Sequence, residues 1–459
     1  MVLSVPVPGP QGLPLVGSLP AIAGDPLRFM VDNQRDHGDI VAWRIGSARV
    51  VMLCDPDHIE EVLVRQHRKT IKDEVTRSLS NVLGQGLLTA DGDVWKRQRK
   101  MAAPSFRPRH LATYADTMVR STRARRLDPG DHDIHEHMSS VTLDIVVRTL
   151  FGVEPGGYAD RVGELLYQLA NTFEHEQRTL WRIIPEWVPS RSRRQRDSDA
   201  RELDRIVRQL IAAASPDGDD LMARLVSARD DDGQGMTPTE LRDAVLTVFL
   251  AGHETTALAL SYAIWLLAEH PEVAARVHAE IDTVLEGRDA TAADSRKLPL
   301  VAAVIDETMR LYPPAWVIGR EVVEPLEMGG HRLEAGTQII APQWVVQRDP
   351  RWFVGPSRFR PDRWLNGETA DLPRFAYFPF GGGPRVCIGN HFAKMEAIVV
   401  LATFLQAAWT AGVSFAPGPM FSPSGGYRRF LRLNCSVQWG PEIQRALHTL
   451  GQLAFGQVR

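Results

Sequence analysis

The chain has 459 residues, a formal net charge of −3, 44% hydrophobic and 24% charged residues, a balance that supports a large apolar core and excludes a low-complexity or disordered chain. That charge gives no field suited to a nucleic-acid backbone, and no basic tract carries interleaved aromatics, so no nucleic-acid partner is expected. The three cysteines, Cys54, Cys387 and Cys435, stand too far apart for a disulfide or zinc framework, which implies a reducing compartment.

From Met1 to Pro20 the chain is apolar but interrupted by Pro6, Pro8, Pro10, Pro14 and Pro20. It lacks a basic leader and the run of ~18 apolar residues that a membrane span needs, so no membrane anchor is expected. Six of the 53 basic residues are lysines, an arginine bias that hints at a GC-rich genome. Val41 to Pro56 reads as strand, turn at Gly46-Ser47, then strand, followed by a helix over Asp57 to Gln66. Asn81 to Gly92 reads as a loop by its glycines, and Trp95 opens a helix carrying Lys96, Arg97, Arg99 and Lys100. The stretch from Met138 to about Val226 is mostly helical by periodicity, broken at Pro155, Pro185 and Pro189; Arg191 to Arg208 is a solvated helix face. Thr237-Pro238-Thr239-Glu240 is a capping box with proline in the first helical position, opening a helix that His270-Pro271 stops. At roughly 30 residues that helix is ~45 Å long, enough to cross a domain. Short strands follow at His331–Leu333 and Thr337–Ala341, then loops from Arg348 to Phe380. Cys54 and Cys435 sit in β-type runs and read as structural. Helices followed by short strands, with no linker between two cores, give one α+β domain.

The most informative stretch is Phe380-Gly381-Gly382-Gly383-Pro384-Arg385-Val386-Cys387-Ile388-Gly389, at the mouth of a helix expected from Ile388 through Glu396. A cysteine at a helix N-terminus meets positive dipole and free amides, which favours its thiolate. Three glycines let backbone lie against a flat object, and Arg385 can pair with a carboxylate on it. A tetrapyrrole with propionates and an iron needing a soft axial ligand meets all three demands. The phosphate-loop alternative requires Gly-Lys-Ser/Thr, which is absent.

The spacing Phe-x-x-Gly-x-Arg-x-Cys-x-Gly resembles the cysteine-ligand loop of the cytochrome P450 family, and the likeness extends over nearly the whole chain. It implies a mainly α, α+β fold: a single large helical prism around haem b with a small β-rich lobe. The prism spans 1–459, with an N-terminal segment and β lobe at 1–60 and an extra tail at 441–459. It also implies a soluble bacterial, cytoplasmic monomer. Cys387 is then the iron ligand, with Phe380 and Gly389 beside it. Ala251-Gly252-His253-Glu254-Thr255-Thr256 resembles the oxygen-activation motif, with Glu254 and Thr255 as a proton relay; Gly252 already suggests a close approach to that helix. Trp95 and Arg99, four apart on one helix face, match the family's propionate contacts, as do Arg320 and Arg385. Glu307 and Arg310, joined by Arg363, match a buried structural network.

By resemblance the substrate pocket draws on Val82, Leu87 and Leu88, on Leu246, Phe249, Leu250 and Ala251, on Ala315, Trp316, Val317 and Ile318, and on Phe421. These positions are apolar and fit a lipophilic guest, a terpenoid ahead of a fatty acid, with Trp316 favouring a compact skeleton. No flavin or iron–sulfur fingerprint appears, so electrons are expected from a ferredoxin or flavodoxin with its reductase. Lys96, Arg97, Lys100, Arg107 and Arg109 are candidates for its docking surface. Against the monooxygenase stand a fatty-acid hydroxylase, a peroxide-driven peroxygenase, an isomerase or dehydratase, and a haem gas sensor. The Glu254-Thr255 pair argues against the peroxygenase and the isomerase or dehydratase, and the lack of an output domain against the sensor.

Overall fold

The computed structural model describes residues 6–107, 112–125, 130–152, 157–179, 184, 188, 190–213, 218, 220–410, 414–417 and 431–434. Its axis is the helix Pro238–Glu269, which starts as its sequence dictates. Thr237 accepts from the Glu240 amide at 3.2 Å, Glu240 accepts from the Thr237 amide at 2.8 Å, and Pro238 occupies the first turn. This helix is apolar on most of its faces because neighbouring helices cover most of them. Ile134–Phe151 packs along one flank; Pro299–Leu311 and Asn390–Thr410 pack along the other. At Gly252 the first contact is close: a Cβ there would lie 3.2 Å from Val146 Cγ2. The close approach expected at Gly252 is therefore made by a neighbouring helix.

Two helices, Pro238–Glu269 and Asn390–Trp409, are long and apolar enough to cross a membrane by composition. Each buries 61% of its most apolar window inside the fold, which makes them core helices here. Leu260, Ile264, Val304, Ile305, Val400 and Leu401, all buried, join these elements in the largest apolar cluster.

The β lobe is a five-stranded sheet in the order Ile40–Ile45, Ala48–Leu53, Gln338–Ala341, Ile318–Val322, Thr70–Ile71. All its pairs are antiparallel except Ala48–Leu53 with Gln338–Ala341. Ile71 pairs with Glu321, so Lys72 and Arg320 leave the sheet as neighbours although 248 positions separate them in sequence. The first hairpin forms as read, with its turn at Gly46-Ser47. Cys54 lies one residue beyond its strand, fully buried, and burial holds its thiol well above the usual range. Cys435 lies outside the described residues.

Several boundaries differ from the sequence reading: the helix expected to open at Trp95 begins at Gly92, and the strand expected from Thr337 begins at Gln338. The helix expected over Asp57 to Gln66 is an α-turn, Pro56–Glu60, continued as a π-turn, Glu61–Arg65. The loop expected from Asn81 begins as a short helix, Ser80–Leu83. The helix after Cys387 starts at Asn390, two residues later than expected. The mainly helical prism with a small β lobe stands.

Candidate active site

A cavity of about 380 Å³ lies between the long helix and the cysteine loop. Cys387 opens into it. The loop is held by its own backbone: the Cys387 amide donates to the Phe380 carbonyl (2.9 Å), and Gly381 donates to Phe378 (2.9 Å). Its glycines answer to protein neighbours. A Cβ on Gly382 would meet the Phe375 ring at 2.3 Å, and one on Gly383 (φ 67°) would meet the Leu63 carbonyl oxygen at 1.9 Å. The Cβ side of those two is taken by protein, which lets the loop seat against Phe375 and the π-turn, while Gly381 and Gly382 also line the cavity. The expected thiolate needs correction too. Burial pushes the Cys387 thiol up, and the Gly389 amide and the Arg99 charge only partly oppose it. The helix dipole starts three residues away, at Asn390. A bound cation is what this sulfur needs to ionise.

One wall is cationic. Trp95, Arg99, Arg320 and Arg385 all line the cavity, joined by Lys72. Arg385 stands 4.3 Å from the centre of the Trp95 ring, donates to the Ala90 carbonyl (2.9 Å) and pairs with Asp91. Arg320 is 7% exposed, and burial, then Arg385, lowers it to about 10. Lys72 is brought down to about 7 by burial, then by the Arg320 and Arg385 charges. Among the described residues Lys72, Arg99 and Arg320 have no ion-pair partner within 4.0 Å. Strand pairing places Lys72 here, helped by its amide, which donates to the Asp91 carboxylate. No local motif marks it, and the sole hint in the sequence is the scarcity of lysine.

The roof is the long helix. Ala251 and Thr255, one turn apart, face the cavity, and Thr255 Oγ1 donates to the Ala251 carbonyl at 2.8 Å. Glu254 points to the side, towards His135 Nε2 at 3.3 Å. Thr256 Oγ1 lies 3.1 Å from Glu396 Oε2 on the cysteine helix. Glu396 is fully buried and its other oxygen has no partner among the described residues. Burial pushes its carboxyl up to about 8, so it is protonated at neutral pH. The sequence reading gave Glu396 no role, because nothing in a lone helical glutamate shows that it is buried.

Glu307, Arg310 and Arg363 form the expected buried network, with exposures of 0%, 0% and 1%. Arg310 grips Glu307 through two bonds of 2.9 Å, and Arg363 Nε reaches Glu307 Oε1 at 3.1 Å. Trp364 Nε1 and the Arg360 amide complete the carboxylate's shell, each at 2.9 Å. Arg310 also donates to the Gln347 carbonyl (2.8 Å), while the Gln347 side chain accepts from the Phe378 amide (3.1 Å). Phe378 is the foot of the cysteine loop, so this chain of bonds runs from the helix Pro299–Leu311 to Cys387. Gln347 and Trp364 were missed, since neither belongs to a local pattern.

Of the pocket positions, Leu87, Leu88, Ala251, Ala315 and Ile318 line the cavity. Leu246 and Phe249 do not: both are 0% exposed in the apolar cluster behind the long helix. Val82 and Leu250 pack against that same cluster. Trp316 is 38% exposed and outside the lining, its carbonyl accepting from the Trp344 amide, and Val317 is outside it too. The extended segment turns Ala315 and Ile318 inward, so the Trp316 argument for a compact substrate falls. Phe421 and the tail 441–459 lie outside the described residues. Phe106, Val146, Leu150 and Val248, apolar and unforeseen, complete the walls.

The basic docking surface is mostly neutralised. Arg97 pairs with Asp230 (2.7 Å) and Glu240 (2.5 Å), Lys100 with Asp231, and Lys96 with Asp93. Arg107 is exposed, and Arg109 lies outside the described residues.

The donor set fits a haem. A single thiol faces a cavity that has, among the described residues, several unpaired cations on one wall, suited to two propionates, and a threonine-bearing helix opposite. The fold matches that of a retinoic-acid-bound cyanobacterial CYP120A1 (TM-score 0.80, 24% identity, 94% of this chain and 100% of that one). It also matches a cytochrome P450DA heme domain (TM-score 0.81, 22% identity, 95% and 99%). In sequence the chain is 34% identical to the cyclooctatin synthase of Streptomyces melanosporofaciens, over 92% of this chain and 94% of that protein. It is 33% identical to the pentalenene oxygenase of Streptomyces avermitilis, over 86% and 89%. The Cytochrome P450 family profile matches residues 7–407. A family profile over most of the chain, and a relative a third identical over 92% of it, show that the chain belongs to the cytochrome P450 family.

Proposed function

We propose that this cytochrome P450 monooxygenase inserts one atom of dioxygen into a C–H or C=C bond of a lipophilic terpenoid or related secondary metabolite. The observation that carries this reading is the cavity itself. Leu87, Leu88, Phe106, Val248 and Ile318 offer apolar surface to a lipophilic guest, while the charged residues of the lining are Lys72, Arg99, Arg320, Arg385 and Lys394. Two relatives with a third of their residues in common are named for the terpenoids cyclooctatin and pentalenene.

Cys387 is read as the axial ligand of haem b, with Trp95, Arg99, Arg320, Arg385 and Lys72 holding its propionates. Bound haem supplies dioxygen activation, for which a thiolate ligand is suited. The protein's share is positioning, exclusion of water and delivery of protons. Thr255 presents its hydroxyl to the cavity and Glu254 supplies protons to it. Electrons come from a ferredoxin or flavodoxin with its reductase, and the enzyme acts as a cytoplasmic monomer with a single catalytic domain.

Two measurements test the reading. Reduced protein under carbon monoxide should show the red-shifted Soret band of a thiolate-ligated haem, and Cys387→Ser should lose it; survival of the band removes the ligand assignment. Soret shifts across a lipophilic library, followed by product analysis, should favour terpenoids. Turnover confined to fatty acids would overturn the substrate class.

A further inference from the structure

His135, Glu254 and His253 form a row of three titratable side chains, and its middle member adjoins Thr255 in sequence. Asp133 caps the helix Ile134–Phe151 by accepting from the amides of His135 (2.8 Å) and Glu136 (3.2 Å). That fixes His135 in a first turn packed against the long helix. Its Nε2 lies 3.3 Å from Glu254 Oε1, and Glu254 Oε2 lies 3.9 Å from His253 Nε2. The His135 and Glu254 side chains are 35% and 37% exposed, so water reaches both; His253 is at 7%.

The two imidazoles are held in opposite states. His253 Nδ1 stands 2.7 Å from the Phe249 carbonyl, which can only accept, so Nδ1 carries the hydrogen. Burial lowers His253, leaving it neutral with the bare lone pair of Nε2 turned towards Glu254. His135 is raised, first by its bond to Glu254 and then, against its own burial, by the Glu254 and Asp133 charges. Glu254 is lowered, mainly by His135, with a smaller contribution from His253. His137, two residues on, takes no part: it packs 5.7 Å from the Phe404 ring and burial lowers it to about 4. The carboxylate therefore sits between an imidazole open to water, whose charged form it favours, and a buried one whose charged form burial disfavours.

We propose that His135 is a positioning residue that loads Glu254 with protons from solvent; this rests on the reading of Glu254 and Thr255 as the proton-delivering pair. The proton passes from His135 Nε2 to Glu254 Oε1, turning imidazolium and carboxylate into imidazole and carboxylic acid, with no electrons moved. The ion pair that held Glu254 outward is thereby dissolved. The acid is then free to turn towards the adjoining Thr255, and a solvent acid reprotonates His135. A fixed lysine or arginine in this place anchors the carboxylate but cannot pass it a proton near neutrality. The sign follows from the raised His135: the device is charged below its elevated value and lost as pH rises through it.

The test uses the intact haem-loaded enzyme with His135→Gln and His135→Lys, and Glu254→Gln and Thr255→Ala as references. In the diamagnetic ferrous carbon monoxide form, NMR should show His135 titrating above an ordinary imidazole and returning towards it in Glu254→Gln. The fraction of reductant used for product rather than released hydrogen peroxide should fall as pH rises through that titration. In His135→Gln that limb should vanish, with peroxide release raised several-fold at every pH, while the carbon monoxide band stays normal. His135→Lys should be equally uncoupled; full recovery by lysine would reduce His135 to an anchor and overturn the proposal. So would an unshifted His135 titration, or an unmoved limb in His135→Gln. If those occur while Glu254→Gln and Thr255→Ala release peroxide, the pair stands and only His135 is lost. If neither reference variant uncouples, the reading of the pair fails and takes the proposal with it.

Discussion

Lys72 shows how much of this site depends on charge that the protein leaves without a counterion. A lysine brought down to about 7 by burial and by two arginines is half neutral at physiological pH. Propionates arriving beside it would restore its ordinary preference for the charged form, so haem binding should take up a proton. The sign is fixed by that direction: haem retention should weaken as pH climbs above about 7, where the unliganded lysine has already lost its proton. Haem transfer to a stronger acceptor protein, followed across that window, reads this directly. Lys72→Met should hold haem less well near pH 7 and show a flatter pH profile. An equal slope in the variant would mean that another group takes up the proton. None of this was legible locally. Cys387, Arg385, Trp95 and Arg99 stand in spacings that carry their meaning with them, whereas Lys72 and Glu396 acquire theirs only from what the fold packs around them.

Among elements, the helices with explicit end signals could be read and the compound turns could not. Thr237 and Pro271 bound the long helix closely because capping chemistry is local. The π-turn at Glu61–Arg65 has no such signature, since its widened backbone answers to the cysteine loop seated on the Leu63 carbonyl. Trp316 failed for a related reason: proline fixes that the segment is extended, but not which alternate side chain turns inward. The Glu307 network is the element-level device that links helix to loop. Glu307→Ala leaves the Arg310 and Arg363 guanidiniums buried without their carboxylate, a loss of roughly 3–5 kcal/mol. The variant should be recovered insoluble or poor in haem, measured as haem per protein. Full haem content with turnover lost would instead assign the carboxylate to chemistry.

For the whole molecule, the fold class followed from the order of helices and short strands, and the two core helices follow from apolarity on most of their faces. What composition could not show was how charge is distributed in space. With a net charge of −3 and acids opposite Lys96, Arg97 and Lys100, the face around the helix Gly92–Ala102 is close to balanced. Arg97 there acts as a clamp. It joins the propionate-side helix to the Asp230 turn, to the Gly235 carbonyl at 2.8 Å and to Glu240, which is already half of the long helix's capping box. At 29% side-chain exposure these charge-assisted bonds are partly shielded, and their loss should cost about 1–2 kcal/mol. Arg97→Ala should therefore lower the midpoint of thermal unfolding by a few degrees. The concentration of reduced carrier protein needed for half-maximal turnover should stay within about twofold, since an already paired cation adds little steering. A tenfold rise in that concentration, with unfolding unchanged, would return Arg97 to the docking surface and show that its acidic partners give way to the carrier.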